Sequence, residues 1–171
     1  MKKIFLLFIC CTLTTLAVQA QKFALMDMEY ILENIPAYQQ ANNELTSLSQ
    51  QYQKMVEAKA KEAETLYQAY QKTAGTLNAT QRTQKEEAIV AKEKEVAELR
   101  KKYFGPEGEM ARKQETLISP IQDRIYEAVK QISQQKGYDA VIDRASATSI
   151  IYASPRIDIS NEVLAVLGYS K

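Results

Sequence analysis

Residues 45–73 read LTSLSQQYQKMVEAKAKEAETLYQAYQKT, and the spacing inside this stretch decides the fold. Leu45, Leu48, Tyr52, Met55, Lys59, Glu62, Leu66, Ala69 and Thr73 follow alternating steps of three and four. That is the period of a coiled-coil seam, weakened by the polar entries Lys59, Glu62 and Thr73. The same steps resume at Lys85, Ile89, Lys92, Val96, Leu99 and Tyr103. Between the two runs, Gly75 suits a helix C-terminus, and Asn78 with Gln81 has the spacing of a capping box. The pattern predicts two antiparallel helices joined at a tip. Each runs about 25 to 38 residues, hence roughly 40–55 Å at 1.5 Å per residue. Such a hairpin is too thin to bury a globular core, and its seam fits a plain spacer as well as a binding arm.

Working outward toward the N-terminus, Pro36 sits well in the first turn of the long helix. It also ends the brief helix expected over residues 28–35, because a residue before proline is pushed out of the helical region. Lys22 to Asp27 is a short apolar run suited to a strand buried on both faces.

Toward the C-terminus, Phe104-Gly105-Pro106-Glu107-Gly108 breaks the return helix. Gly105-Pro106 is the only Gly-Pro step in the chain and is the candidate hinge. A clean apolar stripe then follows at Leu117, Ile118, Ile121, Ile125, Val129 and Ile132, with Pro120 beginning or bending that helix. Gly137 to Asp143 is a second strand candidate, and Ser149 to Tyr152 a third. A final amphipathic helix spans residues 158–167, capped by Asp158 or Ser160 and closed by Gly168. The class is therefore α+β and mostly helical. Residues 21–36 and 109–171 form a small β-containing body, and residues 37–108 form a hairpin arm.

The first twenty residues belong to an address. Met1-Lys2-Lys3 is basic, Ile4 to Leu16 is almost wholly apolar, and Val18-Gln19-Ala20 suits a cut after Ala20. That is a secretory signal peptide, and the run is shorter than the ~20 apolar residues of a membrane span. Cys10 and Cys11, the only cysteines, leave with it, so the exported chain cannot rest on disulfides. Removing Lys2 and Lys3 leaves 20 basic against 21 acidic side chains, so the product is nearly neutral.

Composition narrows the function. There is no histidine, which removes the commonest general base and metal ligand. Asp27, Asp139, Asp143 and Asp158 are the carboxylates nearest apolar segments, and strand-end aspartates are typically turn formers and caps. No serine or tyrosine has a signposted activating base. Gly105-Pro106-Glu107-Gly108 lacks the lysine and preceding strand of a phosphate loop. The expectation is no enzyme, no metal and no cofactor. Arg100-Lys101-Lys102 has acidic neighbours, so nucleic acid is not expected as a partner.

What remains is the chemistry of the arm. Tyr52, Met55, Leu66, Tyr67 and Tyr70 set aromatic and flexible apolar side chains among Lys and Glu, a mixture that accepts varied partner surfaces. Any one of them also serves to zip the two helices together. Residues 54–102 carry eleven basic and eight acidic side chains, and a solvated helical face explains most of them. Lys72, Arg82 and Lys85 are the candidates for electrostatic contacts near the tip.

The order strand, long helical hairpin, strand, strand, short helix resembles the Skp/OmpH family of periplasmic chaperones. Lys22 to Met28, Gly137 to Asp143, Ile150-Ile151-Tyr152 and Asp158 to Leu164 carry the resemblance. It implies a homotrimer shaped like a jellyfish, with strands of three chains building the body and three hairpins hanging around a cavity. It further implies a periplasmic holdase that binds unfolded outer-membrane proteins without ATP. Two features depart from the family's best-known members: the near-neutral charge, and the Gly105-Pro106 break. Contact with membrane lipid or lipopolysaccharide stays open as a further partner class. The alternative function is a structural coiled-coil adaptor of the cell envelope.

Overall fold

The computed structural model describes residues 21–147 and 149–169. The expected signal peptide lies outside them. The described chain divides into two compact units, residues 21–31 with 127–169, and Leu32–Tyr126.

The first unit is organised by a two-stranded parallel sheet. Strand β1 (Phe23–Met26) pairs with β2 (Ala140–Asp143), with Phe23 opposite Ala140 and Met26 opposite Asp143. Ala24, Leu25 and Met26 are all buried, so β1 is covered on both faces, as its unbroken apolar run predicts. Its other edge is also occupied, because the Leu25 carbonyl accepts the Ile159 N–H at 2.8 Å and Leu25 bridges Asp158 in parallel. Ile31, Ala128, Ile132, Ile159, Val163 and Leu164 supply the rest of this unit's buried apolar surface.

Four aspartates hold the connections. The Asp27 carboxylate accepts the Tyr30 N–H at 2.9 Å and so starts helix α1 (Met28–Glu33). Its other oxygen takes Arg144 at 3.1 Å. Asp143 accepts the N–H groups of Met28 and Ala145, each at 3.1 Å. Burial works against its charge, but those hydrogen bonds and the one from Ser146 prevail and hold its carboxyl below the ordinary aspartate range. Asp139 accepts the Lys22 N–H at 2.8 Å. Asp158 accepts the Ser160 N–H at 2.9 Å, ahead of the last helix, α5 (Ser160–Val166). Asp27 and Asp143 fill the cap and turn roles expected of strand-end aspartates, whereas Asp139 joins two segments distant in sequence. The cap expected from Asp158 or Ser160 is not formed: α5 has Ile159 at its N-cap, with no side-chain cap, because Asp158 lies one residue too early and Ser160 is already inside the helix.

The third strand expected at residues 149–152 does not form. Ile151 and Tyr152 stand almost wholly in water. An extended segment becomes a strand only when its N–H and C=O groups meet a partner row. Within one chain β1 has none to offer, since β2 and Asp158–Ile159 hold both of its edges.

The second unit is built on the hairpin. Helix α2 (Pro36–Thr73) has 38 residues and α3 (Ala79–Phe104) has 26. Ile35 is extended ahead of Pro36, which occupies the first turn of α2. At the tip Asn78 and Gln81 form the reciprocal capping box, with hydrogen bonds of 2.9 and 3.1 Å. Gly75 does not supply a left-handed cap. α2 instead tightens into a right-handed 3₁₀ turn at Ala74–Thr76, with Ala74 as its C-cap.

Helix α4 (Glu109–Lys136) follows the break and contains Pro120 in its interior. Pro120 therefore does not begin the helix; the flanking turns carry it through the one missing hydrogen bond. Gly137 and Gly168 close α4 and α5 with positive φ, and the Tyr138 and Tyr169 N–H groups reach back to Ser133 and Leu164. Gly137 thus ends a helix, and the second strand starts only at Ala140.

Candidate functional site

On α3 the buried residues are Ile89, Val96 and Tyr103, seven apart, with Lys92 and Leu99 half-buried between them. The expected α3 seam therefore holds from Ile89 to Tyr103, while its first member, Lys85, is exposed. On α2 the seam drifts. Its buried residues are Ala41, Val56 and Ala63, with Tyr52 and Ala60 packed alongside. Met55, Glu62 and Leu66, which a strict heptad would bury, are exposed. A straight helix of 3.6 residues per turn slips against a 3.5 repeat, and the eleven-residue spacing of Ala41, Tyr52 and Ala63 follows that slip.

The polar entries of the seam pair with one another. Lys59 Nζ lies 2.9 Å from Glu62, and Lys92 of α3 approaches the same carboxylate at 3.7 Å and Glu95 at 2.7 Å. The hydrogen bond from Lys59, with Lys92 adding to it, holds the Glu62 carboxyl below its ordinary range.

The five candidate contact residues fall into two groups. Tyr52 and Tyr70 close the hairpin. Tyr52 stacks on Tyr103 with ring centroids 4.1 Å apart and planes 8° from parallel, and its hydroxyl donates to Glu109 at 2.5 Å. The Tyr70 hydroxyl donates to the Glu86 carboxylate across the hairpin, and that bond raises its pKa above the ordinary phenol value.

Met55, Leu66 and Tyr67 instead face water, at 43%, 37% and 48% exposure. Leu66 lines an open groove of about 620 Å³ with Ala58, Lys61, Glu62, Thr65 and Lys92. Val90, more exposed still, joins this group from α3. The signal for it was the Ile89-Val90 doublet, since a one-residue-wide seam buries only one member of such a pair.

Of the candidate electrostatic residues, Arg82 donates to the Ala74 carbonyl at 3.0 Å and braces the tip. Lys72 and Lys85 form no ion pair among the described residues, so their charges are directed to solvent. Gly105 and Pro106 lie in the interval between α3 and α4. A Cβ on Gly105 would collide with the Lys101 carbonyl oxygen, and one on Gly108 would lie 2.9 Å from Gly105 N, Gly105 O and Lys102 O. Both glycines are present for close backbone approach, not for positive φ.

These features define a class: a small parallel sheet interrupted by a long helical hairpin that keeps aliphatic and aromatic side chains in water among mixed charges. Residues 22–167 match the family described as outer membrane protein (OmpH-like), and the chain belongs to that family. It is 30% identical over 152 residues to the chaperone protein Skp of Yersinia enterocolitica, covering 86% of this chain and 87% of that one. It is 28% identical to the chaperone protein Skp of Photorhabdus laumondii over 149 residues, covering 85% and 84%. A crystal structure of an OmpH-like protein from Caulobacter crescentus superposes with a TM-score of 0.63 at 14% identity, covering 86% of this chain and 84% of that one. The likeness to that structure is one of fold. No helix among the described residues is long and apolar enough to cross a membrane.

Proposed function

We propose that this chain is an ATP-independent holdase chaperone of the periplasm that binds unfolded outer-membrane β-barrel proteins and prevents their aggregation. The observation that carries this is the set of apolar side chains Met55, Leu66, Tyr67 and Val90 that the two hairpin helices leave exposed, although Met55 Sδ also accepts the Tyr103 hydroxyl at 3.9 Å. Unfolded barrel strands alternate apolar and polar residues and aggregate by edge pairing in water. Many weak apolar contacts bordered by charges of both signs suit such clients, and methionine and tyrosine adapt to varied surfaces. The Skp relatives, which carry the name chaperone, support the same role.

The working form in this proposal is a homotrimer. Ile150, Ile151 and Tyr152 then pair with strand edges of neighbouring copies, and the hairpins enclose a shared cavity. Lys72 and Lys85 add attraction for acidic client segments, and Gly105-Pro106 lets the arm adjust to client size.

The test is light scattering of an unfolded outer-membrane barrel protein diluted from urea, with and without this protein. Suppression of aggregation for several unrelated barrels, unchanged by chelator and without nucleotide, is the expected outcome. Binding to one folded envelope partner with no protection of any barrel would instead make the chain a structural adaptor.

A further inference from the structure

Among the described residues, the interval between α3 and α4 makes only local backbone hydrogen bonds. Gly105 N–H donates to Lys101 O at 3.0 Å, Gly108 N–H to Gly105 O at 2.9 Å, and Arg112 N–H to Gly108 O at 3.1 Å. None of them places α4 against α2. Those two helices face each other across an open groove of about 480 Å³, lined by Leu45, Ser49, Met110, Gln114 and Ile118 among others. Such a gap forfeits the close contacts that would lock two packed helices.

Among the described residues, two polar links cross from α2 to α4. Lys113 pairs with Glu44 at 2.7 Å, but both side chains are more than a third exposed, and exposed ion pairs restrain little. The other link is Tyr52. Its ring stacks on Tyr103 and meets Phe104 edge-on at 6.4 Å, the last two residues of α3. Its hydroxyl donates to Glu109 Oε2, on the first residue of α4, while Lys102 lies 3.4 Å from the other carboxylate oxygen. Both sides of the break thus converge on one side chain of α2. A stacked ring can slide or turn at little cost, whereas a charge-assisted O–H···O bond fixes both distance and direction.

We propose that Tyr52 is a latch: its hydroxyl pins the start of α4 to α2 across the Gly105–Gly108 break and sets the width of the groove between them. With the latch open, α4 swings from α2 about Gly105 and Pro106. The hairpin beyond the break stays closed by Val56, Val96 and Tyr103, which do not involve Glu109. Groove width is then a population of two states, and anything that competes for the Glu109 carboxylate shifts it. Tyr52 is a positioning residue here, not a contact for a bound partner.

Hydrogen exchange read by mass spectrometry on the exported chain tests this without any client, so its outcome is separate from that of the chaperone proposal. Tyr52→Phe keeps the ring and its stack and removes only the hydroxyl. The amides of residues 105–112 are expected to exchange about fivefold faster, the equivalent of one net hydrogen bond. Those of residues 23–26 and 140–143 are expected to be unchanged. Glu44→Gln, which breaks the exposed ion pair, should accelerate residues 105–112 less. The latch is overturned if Tyr52→Phe exchanges at the parent rate, if all regions accelerate equally, or if Glu44→Gln has the larger effect.

Discussion

Tyr103 and Tyr67 offer the sharpest comparison between a side chain that holds the hairpin and one that faces outward. Both are tyrosines in long helices, Tyr67 in the interior of α2 and Tyr103 in the last turn of α3, so replacing each with alanine changes unfolded-chain entropy alike and helix propensity by less than about 1 kcal/mol. What differs is burial. Tyr103 is 5% exposed, stacked on Tyr52, and packed with Val56 and Val96. Tyr67 is 48% exposed, and its hydroxyl makes no hydrogen bond among the described residues.

Truncating a buried aromatic to alanine costs about 3–5 kcal/mol, and a thin hairpin relaxes more than a thick core, so about 3 kcal/mol is expected for Tyr103→Ala. Tyr67→Ala, with half its ring already in water, should cost about 1 kcal/mol or less. For a chain of this length the difference corresponds to roughly 4–8 °C in midpoint temperature. Urea unfolding followed by helical circular dichroism measures it, at one fixed protein concentration because assembly shifts the midpoint. At temperatures where both variants are folded, Tyr67→Ala should also lose protection of an unfolded barrel protein, while Tyr103→Ala should retain more of it. Equal stability losses, within about 0.5 kcal/mol, would refute the burial argument.

Gly108→Ala should destabilise by about 1–3 kcal/mol, since its new Cβ meets three backbone atoms at 2.9 Å, while Gly75→Ala, with nothing nearby, should be neutral or slightly stabilising; thermal melts of the two decide it. Asp143 is held below its ordinary pKa when folded, so its contribution is complete above the unfolded aspartate value and is lost as pH falls through the folded one. The urea midpoint should therefore drop as pH falls below the unfolded aspartate value of about 4, and less steeply in Asp143→Asn. Ile151→Asp places a charge on the exposed apolar segment; sedimentation equilibrium should show the parent assembled and the variant shifted toward monomer, and identical masses would count against strand exchange between copies.

Local physics made much of this chain legible. The hairpin tip needed only Asn78 and Gln81 three residues apart, because a capping box is satisfied by backbone and side-chain atoms within one turn. The placement of Pro36, the break at Gly105–Gly108 and the closing role of Gly168 are likewise consequences of backbone sterics, which act between near neighbours. The α3 seam was readable because Ile89, Val96 and Tyr103 keep a strict seven-residue interval that any straight partner helix can cover.

Tertiary structure decided the rest, wherever the outcome depended on a partner distant in sequence. Ser149 to Tyr152 has the composition of a strand, yet strandedness belongs to a pair of backbones, and in one chain both edges of β1 are taken by β2 and by Asp158–Ile159. Lys59 and Glu62 looked like flaws in a seam until Lys92 was placed across from them. Whether Met55 or Val56 turned inward depended on how far α2 had slipped against α3, a phase error of one residue that no single helix records. Tyr52 and Tyr67 are the same residue fifteen positions apart. Tyr103 and Glu109, brought alongside by the return of α3 and the start of α4, turned the first into a hairpin contact and left the second in water.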